Sequence, residues 1–465
     1  MHENASPPLG RCFPSSAATP KAWSCAVHAE AFWGPETAAA LRNFGEGSTP
    51  APFVRALAEV KLACLRAVQE TERRWPDEVF AALEAACLEV AAGKYPERFR
   101  LPLMQGGAGT SLNMNMNEVL ASLVGGLDPI EDINRYQSTN DVVPTAVTIS
   151  LYRLLTEVER EVIELQEALV AWERQSENLL MEGRTEMQSA LPMTLGQVFG
   201  AWAGATERDR WRLNKLKERI RTIPLGGTAI GTCFSAPQRY IYAAERALRS
   251  ITGLPLCRSQ NLPDEISNLD AWAELANGFA LCAVNLFKMC GDLLLYTSSM
   301  VGEMEHPRLQ AGSSIMAAKT NPVILEHVRG LAVHVQGEAW KVGQYAAAGQ
   351  LQLNPFLPHT CAALLSAGEA LQWAIAAFRT RFLDGLRVNA ARMERNLAGS
   401  LAMMNALTPK LGYHRVKELY EKAPSPPASL EELAALVARE TGTPLEEVRS
   451  WLSPGRLAGM NGGNA

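Results

Sequence analysis

The 465-residue sequence contains no CxxC pair and no HExxH motif, and its nine cysteines and seven histidines are scattered singly. That spacing excludes the usual structural and catalytic zinc sites. It predicts free, mostly buried thiols in a reducing, cytoplasmic setting. An unbroken apolar run of about 18 residues is also missing. The best candidate, Leu275 to Leu295, is interrupted by Asn277, Asn285, Lys288 and Asp292, so no membrane span is expected. Met1 to Pro20 lacks a basic-then-apolar pattern and reads as a loose tail, not a secretory signal. Positive charge is not in excess: 44 Lys and Arg stand against 49 Asp and Glu, a net charge of −5. Neither nucleic acid nor an anionic membrane is therefore indicated as a partner. Sustained period-two alternation is absent, which argues against a β-rich core.

The dominant positive signal is helical. Val147, Leu151, Leu154, Val158, Val162, Leu165, Leu169 and Trp172 recur at steps of three and four residues, as along a long helix packed against others. Similar patterns run over Leu195–Arg221, Asn268–Met300, Pro322–Gly349 and His359–Leu386, with shorter ones over Ala56–Trp75 and Glu78–Ala92. Helices of roughly 25 to 35 residues cannot be buried in one small globule. They predict an elongated bundle whose leftover apolar faces associate with copies of the same chain. After Arg387 the helices shorten, with Pro409, Pro424, Pro426 and Pro427 between them. The expected division is an N-terminal mainly helical domain over 1–133, a central long-helix bundle over 134–386 and a small helical domain over 387–465.

Four polar segments border the long helices: Gln105–Glu118, Gln137–Asp141, Gly183–Gln188 and Gly312–Pro322. The first reads as an ordered loop as far as Asn117. Hydroxyls, amides and backbone N–H groups at helix starts are suited to holding carboxylates. No segment is a phosphate loop. Gln105 to Thr110 lacks the Lys-Ser/Thr ending, and the glycines of Gly226-Gly-Thr-Ala-Ile-Gly231 miss the dinucleotide offsets.

In order along the chain, the segments resemble the aspartase/fumarase superfamily, and within it the ammonia-lyase branch most closely. The resemblance runs through Ala31-Phe-Trp-Gly34, Leu41-Arg-Asn-Phe44, Gly106–Ser111, Asn113-Met-Asn115, Asn117-Glu118 and Gln137–Asp141. It continues through Gly183-Arg-Thr185, Leu195-Gly-Gln197, Gly226–Gly231, Gly302-Glu303, the Gly312–Met316 loop with Lys319 and Asn321-Pro322, and Gly412-Tyr413. It implies a mainly α, three-domain homotetramer with a twenty-helix core, and active sites built from three subunits. The implied reaction eliminates ammonia from L-aspartate to give fumarate, with no metal or organic cofactor.

By the same resemblance, Ser313 would be the base, on a loop that closes over the substrate. Thr110, Ser138 and Thr139 would hold the carboxylate beside the departing proton. Lys319, Asn321 and Thr185 would hold the other carboxylate, and Ser314 would lie against the substrate. Asn140 would face the leaving group, with Glu186 beside it. Elimination leaves an aci-carboxylate with two negative charges, which preorganised donors must stabilise. The sequence departs from the family at several places. The loop reads Met316-Ala-Ala-Lys319 without the usual proline. Asp128–Asp132, Gln352-Leu-Asn354 and Asn405 also differ, and Glu186 stands where His or Gln is usual. Two other readings stay open: a lyase of the same fold acting on another compound (hydration of fumarate, or release of nitrite or a substituted amine), and a non-catalytic helical relative.

Overall fold

The computed structural model describes residues 33–422 and 429–459. The Met1–Pro20 tail, Ala31, Phe32, Pro424, Pro426 and Pro427 lie outside the described residues. Fifteen apolar or small residues between Ala51 and Glu72 make α2 (Ala51–Glu72) a helix buried along most of its length. Around it lie α1 (Pro35–Phe44), α3 (Asp77–Ala91) and α4 (Thr110–Val124). The expected loop over Gln105–Asn117 is thus a loop only as far as Gly109. Gly109, at φ 90°, is the N-cap, and the asparagines belong to the helix.

The central helices are α5 (Thr139–Gln175), α6 (Leu195–Arg219), α9 (Asp270–Tyr296), α10 (Val323–Ala347) and α11 (Leu357–Ala377). Between them come α7 (Gln238–Thr252) and α8 (Leu262–Ser267). Ser138 and Asp141 form a capping box at the start of α5, as Thr194 and Gln197 do for α6. Trp172 stacks on Phe199 at 5.1 Å and Asn214 donates to Glu159 at 2.9 Å, so α6 runs antiparallel to α5. Trp202 donates to Asp292 at 3.3 Å, which brings the end of α9 to the start of α6. Gly368 of α11 meets Leu154 of α5 so closely that a Cβ would lie 2.4 Å from Leu154 Cδ2, so any larger residue there would have to displace that side chain. Two stretches, Asp270–Tyr296 and Leu357–Gly385, are long and apolar enough to cross a membrane, but they pack against α10 and α5 as bundle helices.

The segment between α5 and α6 is a β-hairpin, not a helix border: β1 (Leu180–Thr185) pairs antiparallel with β2 (Gln188–Thr194). Strands are otherwise two-residue ladders among the described residues. The C-terminal helices α12 (Ala390–Ala398), α13 (Leu401–Asn405), α14 (Thr408–Leu411), α15 (Tyr413–Lys422), α16 (Leu430–Thr441), α17 (Leu445–Trp451) and α18 (Pro454–Leu457) gather around a second apolar cluster that includes Met403, Leu419 and Val437. Leu180 packs on that cluster while Met181 belongs to the main core, so the hairpin bridges the two.

Candidate active site

At the first turn of α5, Ser138 Oγ accepts the Asn140 N–H at 3.2 Å, and Asp141 returns the bond by accepting the Ser138 N–H at 3.0 Å. The second Asp141 oxygen accepts the N–H groups of Gly226 and Thr228 at 3.2 and 3.0 Å. Asn140 donates to Ala229 O at 2.8 Å. One carboxylate and one amide thereby pin the Gly226–Gly231 loop against the helix start. Burial pushes the Asp141 carboxyl up to about 6, against the pull of the N–H groups it accepts. Thr110 lies at the start of α4, exposed, its hydroxyl donating to Gly107 O at 2.8 Å. Asn113, one turn on, reaches Thr139 Oγ at 3.4 Å. Ser138, Thr139, Asn140 and Thr110 therefore belong to one corner of the molecule.

Beneath that corner lies a charge that sequence reasoning missed. Lys61 of α2 is wholly buried and donates to Asn134 Oδ1 at 3.0 Å and Gln137 Oε1 at 2.8 Å. Burial draws its ammonium down to about 8. The available signal was weak: Lys61 stands in the apolar-rich stretch Ala56–Val68, which also holds Glu59 and Arg66.

The remaining residues are elsewhere. In the loop before α10, Ser313 Oγ accepts the N–H groups of Ile315 and Met316 at 3.2 and 3.0 Å. Two N–H dipoles aimed at this oxygen favour negative charge on it, as an activated hydroxyl needs. The loop is closed by Gly312 N–H to Lys319 O at 2.9 Å and by the Asn321 amide to Gly312 O at 3.0 Å. Gly312 is required for space, not for a left-handed backbone: a Cβ would lie 2.7 Å from Lys319 O and 2.9 Å from Thr320 Cα. Gly312→Ala must widen the loop. We expect turnover to fall on the order of tenfold to a hundredfold with an unchanged melting temperature; steady-state kinetics beside a thermal melt checks this, and full turnover would show that the closed loop is dispensable. Ser314 and Lys319 are exposed, and the Lys319 ammonium has no acidic partner among the described residues.

Thr185 and Glu186 sit at the tip of the hairpin. Glu186 and Met187 form its two-residue turn, with φ of 52° and 61°. Pairing of Glu186 with Arg184 does not occur. Arg184 is forked onto Glu303 at 2.6 and 2.9 Å and also meets Glu182 at 2.6 Å. Glu303 is fully buried, and Asn396 of α12 donates to it at 2.9 Å. This knot joins the hairpin, the segment leading to Ser313 and the C-terminal helices. The Glu186 carboxylate is left exposed.

Within one chain the two groups lie at opposite ends of the bundle. Ser138, Thr139, Asn140 and Thr110 are at the start of α5. The hairpin, the Arg184–Glu303 knot and the Ser313 loop follow its end and that of α9. A helix of 37 residues is about 55 Å long. No single chain can bring Ser313 to Thr139.

A family model described as lyase matches residues 25–337. The chain belongs to the aspartase/fumarase superfamily. It is 35% identical over 412 residues to the aspartate ammonia-lyase of Pseudomonas fluorescens, covering 84% of this chain and 86% of that one. It is 32% identical over 453 residues to the class II fumarate hydratase of Ralstonia nicotianae, covering 93% and 97%. The solved fumarate lyase:delta crystallin from Brucella melitensis superposes with a TM-score of 0.86 at 35% identity, over 92% of this chain and 96% of that one. Members of this superfamily are lyases, and the mainly α fold is theirs. Aspartate- and fumarate-directed relatives match about equally well, so membership alone does not choose between an amine and a hydroxyl leaving group.

Proposed function

We propose that the protein is an ammonia-lyase that reversibly eliminates ammonia from L-aspartate to give fumarate. The observation that carries the choice of leaving group is the Glu186 carboxylate at the hairpin tip, exposed and without an ion-pair partner among the described residues. Hydroxide is a poor leaving group and needs a proton delivered to it. An ammonium group carries its own and departs as neutral ammonia. A carboxylate there attracts a cationic amine. In this reading Ser313, as alkoxide, takes the proton from the carbon beside one carboxylate. Thr110, Ser138 and Thr139 hold that carboxylate as it becomes dianionic. Lys319, Asn321 and Thr185 hold the other, Ser314 lines the site and Asn140 faces the amine.

The separation of the two groups within a chain supports a homotetramer in which neighbouring chains supply opposite halves of each site. Exposed apolar residues on the central helices support it too: Leu281 and Val284 on α9, Val333 and Trp340 on α10, and Trp373 on α11. Fumarate hydration is the second reading, favoured by the 32% identity over 453 residues to a class II fumarate hydratase.

Absorbance at the fumarate band, with aspartate, malate and argininosuccinate offered in turn, tests the proposal. We expect turnover of aspartate and little of malate. Glu186→Ala should raise KM for aspartate on the order of tenfold, by loss of one charge–charge contact in a partly screened site. Malate turnover comparable to that of aspartate in the wild type defeats the reading.

A further inference from the structure

The hydroxyls proposed to hold the dianionic carboxylate are all neutral, and only Lys319, on the other carboxylate, carries a full charge. The buried Lys61 changes that account. Among the described residues no carboxylate lies within hydrogen-bonding distance of it; its partners are the amide oxygens of Asn134 and Gln137. An ammonium buried on amides alone is an expensive group for a fold to keep. Asn134 Oδ1, which accepts from Lys61, also accepts from Asn113 at 3.1 Å and Asn117 at 3.3 Å. The Asn113 amide in turn reaches Thr139 Oγ at 3.4 Å. Every contact in this chain has its donor on the protein side. The Thr139 oxygen is met by the Asn113 amide as donor, which leaves the hydroxyl its own proton to donate to a bound anion.

We propose that Lys61 is a positioning residue that acts through Asn134, Asn113 and Thr139 to place positive charge beneath the carboxylate that becomes dianionic during elimination. The proposal rests on the lyase reading given above and adds to it a charge that acts more strongly on the dianion than on the substrate. A charge of this kind lowers the barrier without tightening substrate binding.

The groups that face Lys61 leave it alone in titrating near neutrality. Cys64 on its own helix and Cys87 on α3 are pushed up by burial to about 12. Tyr240 on α7 and Tyr136 before α5 are raised from the ordinary tyrosine value. Asp141 on α5, raised to about 6, is ionised above that pH. The α4 side presents only the amides of Asn113 and Asn117. Loss of the Lys61 proton should therefore produce an alkaline fall in turnover that disappears when the lysine is replaced.

The test compares the full-length wild type with Lys61→Met, both checked for assembly by light scattering, over pH 6.5 to 9.5. With the substrate the wild type uses, kcat at pH 7 should fall on the order of 30- to 100-fold, with KM changed less than about threefold. The alkaline fall near pH 8 should vanish in the variant. The nitronate of 3-nitropropionate has the planar geometry and two anionic oxygens of the aci-carboxylate form, with one negative charge fewer on that group. Its affinity should weaken, though by less than kcat falls, while that of succinate stays constant. Equal weakening of both ligands, a retained alkaline fall, or kcat within about threefold of wild type would overturn the proposal. Should Lys61→Met fail to assemble, the wild type alone decides: nitronate affinity must decline through pH 8 while succinate affinity does not. A wild type that forms no fumarate from any substrate removes the lyase reading itself. An active wild type with an unchanged variant removes only the role of Lys61.

Discussion

Ser313→Ala is expected to lower turnover by about a thousandfold or more, the usual consequence of deleting a base or nucleophile. The same variant should fold and assemble normally. The Ser313 hydroxyl lies on a loop and accepts two local N–H groups, and it touches neither apolar cluster. Surface substitutions of that kind usually change stability by no more than about 0.5 kcal/mol. Steady-state rates beside a thermal melt and light scattering separate the two effects. A Ser313→Ala enzyme that keeps a tenth of wild-type turnover would take Ser313 out of the role of base.

The second large effect is a recovery of activity. Ser313→Ala and a Thr139→Val/Asn140→Ala double variant should each be nearly inactive, because each removes one half of the site. Co-expressed at equal amounts, they should regain about a quarter of wild-type activity. Each half is intact with a probability of about one half, and the halves come from different chains of a closed oligomer. Light scattering should show a tetramer in every preparation. Were each site contained in one chain, the mixture would be as inactive as its parents. A protein that remains monomeric at micromolar concentration while turning over substrate would contradict the shared site outright.

Much of this arrangement could be read from the residues. The step of three and four from Val147 to Trp172 announced α5, although the helix begins at Thr139. Pro144 hid its first two turns, since proline ordinarily marks a boundary and here sits inside the helix. The helices over 195–219, 270–296 and 323–347 fall within the periodic stretches, and the helix over 357–377 begins two residues before its stretch. Two features were misplaced for local reasons. The asparagines of Asn113-Met-Asn115 favour loops by propensity, but here their amides have partners on Thr37, Arg98, Asn134 and Thr139, so burial overrides propensity. Gly183–Gln188 has no Asn-Gly turn to announce a hairpin; the turn is Glu186-Met187. Lys61 and Asp141 drew no assignment because their importance lies in what surrounds them, and composition carries no record of depth. The position of Ser313 relative to Thr139 was likewise beyond any local pattern, because it depends on how the long helices turn back on one another.

The hairpin tip bears on how this enzyme can change over generations. Two successive residues with side chains occupy the left-handed region, where each is costlier than glycine by about 1 kcal/mol. Mutational drift toward glycine at Met187 would relieve the turn, and drift at Glu186 toward valine, isoleucine or threonine is closed off, since branching at Cβ clashes with that backbone. The accessible neighbours of Glu186 are therefore unbranched or amide-like side chains such as Gln, Asn, Asp and His. Apolar side chains without that branch stay open, as Met187 shows in the same conformation. What the backbone filters at this tip is the shape of a side chain at Cβ, not its polarity.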